Sequence, residues 1–197
     1  MLRPLSIAIV LVLAPGIVRA DPPALPAGDY VLDARRANLV LKLPPLLGGA
    51  PTDLRLTRLE GGFTYDPARW QATKVTISAD PRSVEEPDTA VGRMAASLFE
   101  PDRYPTIQFR SETLTAGADG RGQLVGALTF HGVTRPLTLD VTFDGVSDAP
   151  GSEVRTRFSG HGRINRADFG ITAGRPFVGD DVDLAFDIDF VRGSTAK

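Results

Sequence analysis

Residues 134–144, TRPLTLDVTFD, place Leu137, Leu139, Val141 and Phe143 on one side of an extended chain and Thr138, Asp140, Thr142 and Asp144 on the other. Side chains alternate across a strand with a period of two, so this stretch reads as a strand with one dry face and one wet face. The dry face must be covered. The pattern returns at 181–191, where Val182, Leu184, Phe186, Ile188 and Phe190 oppose Asp183, Asp187 and Asp189. Further candidate strands are 29–34, 38–43, 53–65, 71–79, 105–115, 121–131 and 153–165, divided by Gly, Pro and Asp, with His131-Gly132-Val133 as a hairpin link.

One segment reads as a helix. In 87–99, Val91, Met94, Ala95 and Leu98 recur at helical spacing behind the capping pair Asp88-Thr89. A single short helix cannot cover a sheet of eight or nine strands, which leaves a sandwich or a closed barrel. Long, sustained alternation suits tilted barrel staves. Glycines on the apolar faces, Gly126, Gly160 and Gly162, fit bent staves, and they also fit a lumen from which side chains have been removed. Phe63, Phe109, Phe130, Phe143, Phe158, Phe186 and Phe190 point inward by the same alternation, which describes a dry tube suited to a long apolar guest.

The first twenty residues read as an export signal. Arg3 precedes an apolar run from Leu5 to Leu13 that is too short to span a bilayer, and Val18-Arg19-Ala20 offers a cleavage site. Residues 1–20 are therefore expected to be a signal peptide and 21–197 one domain, located in the periplasm. The formal charge of −2 becomes more negative when Arg3 and Arg19 are removed, which argues against nucleic acid as a partner. With no Cys there is no disulfide, thiol nucleophile or thiolate metal site.

A search for catalytic machinery returns nothing: there is no phosphate loop, nucleophile elbow or His pair at helical spacing. His131 and His161 fall opposite the apolar faces and read as surface residues. Asp140, Asp144, Asp183, Asp187 and Asp189 read as a solvated outer face, and Asp180-Asp181 as loop charges. Neither a catalytic nor a metal site is expected, and the chain does not read as an enzyme.

Several stretches, in order, resemble the YceI family of exported lipid-binding proteins: YVLD at 30–33, SLFEPDRYPTIQFRS at 97–111, GALTFHGVTRPLTLDV at 126–141, INRADFGI at 164–171 and VGDDVDL at 178–184. The resemblance implies an all-β fold: a single antiparallel, eight-stranded, lipocalin-like barrel with one short helix near a barrel mouth. It further implies a bound polyisoprenoid, quinone-like or a prenyl phosphate, as the guest rather than a cofactor. In the same reading Arg166, Asp168 and Phe169 form a rigid surface turn at a barrel end. Family members commonly carry His-Ser shortly after the first Asp. Here those places hold Arg36-Ala37, and either the guest differs or the pocket is filled.

The resulting expectation is a noncatalytic carrier whose lumen is lined by Leu54, Leu56, Phe63, Ile77, Ile107, Phe109, Gly126, Leu128, Phe130, Leu139, Val141, Phe158, Gly160 and Phe186, with Met94 and Leu98 near its opening. Its partner would be a hydrophobic lipid, with transient membrane contact and a homodimer as accompanying expectations. The alternative is a self-filled barrel acting as a protein-interaction module in envelope stress or electron transfer.

Overall fold

In the computed structural model, which describes residues 24–45, 51–85, 90–117, 119–148, 153–175 and 179–193, the alternating stretches become neighbouring strands of one antiparallel sheet. They are β1 (Gly28–Leu43), β2 (Thr52–Leu56), β3 (Leu59–Tyr65), β4 (Val75–Ala79), β5 (Val84–Glu85), β6 (Ile107–Ala116), β7 (Arg121–Phe130), β8 (Val133–Ser147), β9 (Arg155–Asn165) and β10 (Asp181–Arg192). Eight of them close a barrel in the order β1-β3-β4-β6-β7-β8-β9-β10, and β10 pairs back onto β1. Closure leaves no edge strand among these eight. β2 lies outside the ring, paired with the second half of β1, and carries β5. The one α-helix among the described residues, α1 (Ala90–Ser97), packs beside β2 at the end of the barrel where β1 finishes. The expected barrel and helix are both present. The expected signal peptide with its cleavage site and the cap Asp88-Thr89 lie outside the described residues.

Three boundaries differ from the periodic reading for local reasons, the first being that the candidate 53–65 divides into β2 and β3 at Thr57 and Arg58, whose amides donate to Ser83 instead of to a neighbouring stave. The candidates 29–34 and 38–43 are one strand, β1, whose register shifts between Leu32 and Ala37. That shift is a bulge, and it turns the chain so that one strand pairs first with β3 and then with β2. The candidate 71–79 shortens to β4 because Asp66 caps a 3-10 segment, Pro67–Ala72, by accepting a hydrogen bond from the Ala68 amide at 2.9 Å.

The bulge gathers charge on the outer wall. Arg155 donates to Asp33 at 2.7 Å, and Arg157 donates to Asp189 at 2.7 Å while Arg36 lies 3.7 Å from the same carboxylate. Asp189 does point away from the lumen, but its side chain is only 6% exposed. The solvated reading fails here because two arginines cover it. The hydrogen bond from Arg155 holds the Asp33 carboxyl below the usual carboxylate range. A lowered folded value means that ionised Asp33 stabilises the fold above about pH 4 and that this contribution disappears as pH falls through the folded value. Asp33→Asn is therefore expected to melt below the wild type at pH 7, with the gap closing in thermal melts as pH falls below about 4 and through the lowered folded value. A gap that does not change with pH would refute the ionic contribution.

The β7–β8 hairpin turns on His131 and Gly132, both at positive φ (50° and 73°), as a two-residue type I′ turn requires. His131 is not a surface residue. Its side chain is 11% exposed, Nδ1 donates to the Phe169 carbonyl at 3.1 Å, Nε2 lies 3.2 Å from Glu100, and Tyr104 packs on the ring at 4.2 Å. The His131 side chain is covered because the 97–104 and 166–169 segments fold over it, while Gly132 at the tip stays exposed.

Candidate functional site

The inward faces of the eight staves enclose a cavity of about 190 Å³. Its wall is built by the alternation itself. Leu184, Phe186, Ile188 and Phe190 come from β10, Leu137, Leu139, Val141 and Phe143 from β8, and Leu124, Leu128 and Phe130 from β7. Among the described residues no carboxylate lines it. The one cation, Arg121, sits at the rim with its side chain 77% exposed and 3.8 Å from Asp119.

Rings close in on the cavity from both ends. At the end where β1 begins, Phe63 stacks on Tyr30 with centroids 5.0 Å apart and meets Phe190 edge-on at 5.0 Å, and Phe158 packs against Phe143 at 5.4 Å. At the helix end, Phe130 lies 5.3 Å from Phe99 and 5.6 Å from Phe169. Offset and edge-on arrangements of this kind fix ring positions beyond what burial alone would do.

A second pocket of about 50 Å³ lies under α1, lined by Met94, Leu98, Phe99 and Ile171 among others. It shares Leu41, Phe130 and Ile164 with the main cavity, so these three side chains form the partition between the two. Met94 is 45% exposed and faces both this pocket and solvent.

Of the residues expected to line the lumen, Leu56, Phe63, Ile77, Ile107, Phe109, Leu128, Phe130, Leu139, Val141, Phe158 and Phe186 face the main cavity, and Met94 and Leu98 face the pocket under the helix. Leu54 is fully buried in the core and lines neither. Leu25, Leu39, Leu41, Tyr65, Thr73, Val75, Leu114 and Ala116 line the cavity without having been singled out. For Leu39 and Leu41 the period-two parity was the available signal, whereas Leu114 and Ala116 turn inward because the register of β6 shifts between Ser111 and Thr113 and reverses the parity set by Ile107 and Phe109. Thr73 lies in a connection, where no parity applies.

Gly126 and Gly160 border neither cavity. A Cβ on Gly126 would run into the Arg110 carbonyl oxygen and the Cα of Ser111, and one on Gly160 would strike the Asp140 carbonyl and the Phe186 ring. These glycines permit close approach between staves; they do not leave lumen space vacant. Enlarging either one would therefore distort the wall instead of filling the tube. Gly126→Ala is expected to cost about 1–3 kcal/mol in denaturant unfolding, as overpacking against rigid backbone does. A cost below about 0.5 kcal/mol would show that the neighbouring stave moves aside freely.

Arg166 is also not a surface residue. It is 5% exposed and donates through Nε to Gly179 O (3.0 Å) and through Nη1 to Ile171 O (3.0 Å) and Ala173 O (2.6 Å), with Asp180 at 3.2 Å from Nη2. One planar fork thus ties Ile171, Ala173 and Gly179 to the barrel end. Asp168 remains exposed, and Phe169 is buried. Asp180 is less a free loop charge than the partner of Arg175, whose hydrogen bond holds its carboxyl below the usual range. Among the described residues no cluster of three His, Asp or Glu could hold a metal ion.

Comparison with known proteins agrees with this architecture. A profile described as a YceI-like domain matches residues 30–190. A UPF0312 protein of Vibrio cholerae serotype O1 is 31% identical over 159 residues, 78% of this chain and 83% of its own length. A UPF0312 protein of Vibrio vulnificus is 29% identical over 188 residues, 92% of this chain and 97% of its own. Among solved structures, BcnA of Burkholderia cenocepacia superimposes with a TM-score of 0.68 at 21% identity, covering 80% of this chain and 98% of BcnA. A polyisoprenoid binding domain from Saccharophagus degradans, implicated in plant cell wall breakdown, gives 0.64 at 20% identity, covering 83% and 98%. At these identities the two structures establish a shared fold.

Proposed function

The chain belongs to the YceI-like family, and from that premise we propose that it is a noncatalytic binding protein that carries an isoprenoid or similar long apolar lipid in its barrel lumen, exported to the periplasm by residues 1–20. The observation that carries this reading is a closed barrel around a cavity whose wall, among the described residues, has no carboxylate and a single cation, Arg121, solvated at the rim. Such a space selects by dryness and shape, and it gives no group with which to activate water or a nucleophile. The polyisoprenoid named for the Saccharophagus degradans domain supports the same ligand class.

Volume limits how such a guest is held. An apolar cavity of about 150 Å³ accepts a molecule the size of benzene, so about 190 Å³ takes a ring or a short branched segment at one time. A longer tail would pass the partition of Leu41, Phe130 and Ile164 into the pocket under α1, with exposed Met94 at the exit. Transfer to water of some forty carbons would cost roughly 30 kcal/mol at about 0.8 kcal/mol per methylene, more than noncovalent binding supplies. Exchange with a bilayer, where the tail is already dry, is nearly balanced. The carrier reading therefore entails transient membrane contact.

The small volume is also the observation that favours a second reading, a largely self-filled barrel that acts on a protein partner through its surface. Organic extraction of the purified protein followed by mass spectrometry separates the two. A prenyl or comparable lipid near one per chain supports the carrier. No extractable lipid, together with no uptake of an apolar fluorophore, refutes it.

A further inference from the structure

We propose that Thr73 is the polar anchor of the lumen: its hydroxyl fixes the single neutral oxygen of an otherwise apolar guest, an alcohol, phenol or quinone carbonyl, at the end of the barrel opposite α1. The inference rests on the carrier reading and assigns that guest a head group and a direction.

Thr73 lines the main cavity and is 6% exposed, and its Oγ1 has no hydrogen-bond partner. Among the described residues one other buried side-chain oxygen shares that condition, Asn38 Oδ1, and it borders neither cavity. A buried hydroxyl without a partner is disfavoured, and where one persists in a wall of hydrocarbon it marks a position that something else completes. One step about χ1 exchanges the hydroxyl with the methyl, so the oxygen can turn to meet a guest without moving the chain.

The backbone at Thr73 is held on both sides. Its amide donates to Trp70 O at 3.1 Å, and the Val75 amide donates to Ser111 Oγ at 2.8 Å. This pinning has a topological cause. β4 pairs with residues 107–110 of β6 only, so the rest of β6 lacks a strand on that side and the connection leading into Val75 runs alongside it. Thr73 is therefore a fixed point on the wall where β1, β4 and β7 begin. Tyr65 lines the same end, with its phenol pushed up by burial and so kept neutral.

The chemistry favours a neutral head over a phosphate. A buried anion needs a cation or several donors, and the interior offers neither near Thr73, since Arg121 is solvated at the rim. One hydroxyl suits one uncharged oxygen, with the tail then directed toward Phe130 and α1.

The test uses lipid-stripped full-length protein, geraniol, and dimethyloctadiene as its hydrocarbon counterpart, each displacing a lumen-bound apolar fluorophore. Thr73→Val is expected to weaken geraniol about five- to tenfold, the loss of one hydrogen bond, and to leave the hydrocarbon unchanged. Thr73→Ser is expected to restore geraniol binding. Since valine removes an unsatisfied hydroxyl, the stripped Thr73→Val protein should melt no lower than the wild type. Equal affinities for both probes in wild type and Thr73→Val overturn the assignment, because the hydroxyl is then satisfied without the guest. A lowered melting point with equal weakening of both probes also overturns it, in favour of a structural role. If the wild type binds neither the fluorophore nor the probes, the carrier reading falls and this inference falls with it.

Discussion

Val141→Trp should empty the barrel. Val141 faces the cavity from β8, and its neighbours across both adjacent strands are glycines, Gly122 and Gly160. A larger side chain at this position has no side chain directly across from it on either neighbouring strand, and an indole would enter the 190 Å³ space beside the Phe186 ring, which lies over Gly160. The lipid recovered per chain by organic extraction should fall at least tenfold. Folding should survive, with an overpacking cost of about 1–3 kcal/mol. Val141→Ala, which widens the same place, should retain lipid and controls for any loss caused by destabilisation. Wild-type levels of lipid in a folded Val141→Trp protein would show that the guest, if present, lies elsewhere.

The second large effect is on stability. Arg166→Ala removes one side chain that satisfies three backbone carbonyls, those of Gly179, Ile171 and Ala173, and deprives Asp180 of a buried partner. Losing three hydrogen bonds from a charged donor, with Asp180 still paired to Arg175, costs about 3–5 kcal/mol. That corresponds to a fall in Tm of roughly 6–20 °C for a domain of this size. Arg166→Lys should recover little of it, because a single ammonium cannot reproduce the planar fork that reaches several carbonyls at once. Equilibrium unfolding in urea checks both variants, and a loss below about 1 kcal/mol for Arg166→Ala would mean that Ile171, Ala173 and Gly179 are held chiefly by the backbone. Arg166 also lines the pocket under α1, so the same substitution should loosen the helix end of the lumen.

Comparing the two residues shows which parts of the site were legible in advance. Val141 was assigned inward from a period of two, and it lies where that period puts it. Arg166 was read as part of a paired surface turn, because a short motif rich in Arg and Asp gives no hint that the chain on either side will fold over it. Asp189 and His131 were misplaced for the same reason. Alternation gave the correct direction for Asp189, but burial was decided by arginines from β9 and from the bulge in β1. The His131 side chain is covered by segments that lie some thirty residues before it and after it in sequence.

The glycines show a different limit. A missing side chain on an inward face is compatible with an open lumen or with a tight wall, and composition cannot separate them. The separation needs the distance to the next stave, which is short enough at Gly126 that a Cβ would strike the Arg110 carbonyl.

What the amino-acid order determined alone is the sidedness of each strand, the need to close the sheet on itself, and hence a dry interior, because alternation follows from covalent geometry and acts within a few residues. Tertiary structure decided the cavity's size, its partition at Leu41, Phe130 and Ile164, the burial of Arg166, and the unpartnered hydroxyl of Thr73. Each of these depends on how far apart distant segments come to rest, a quantity set by strand register, bulges and tilt that no local pattern encodes.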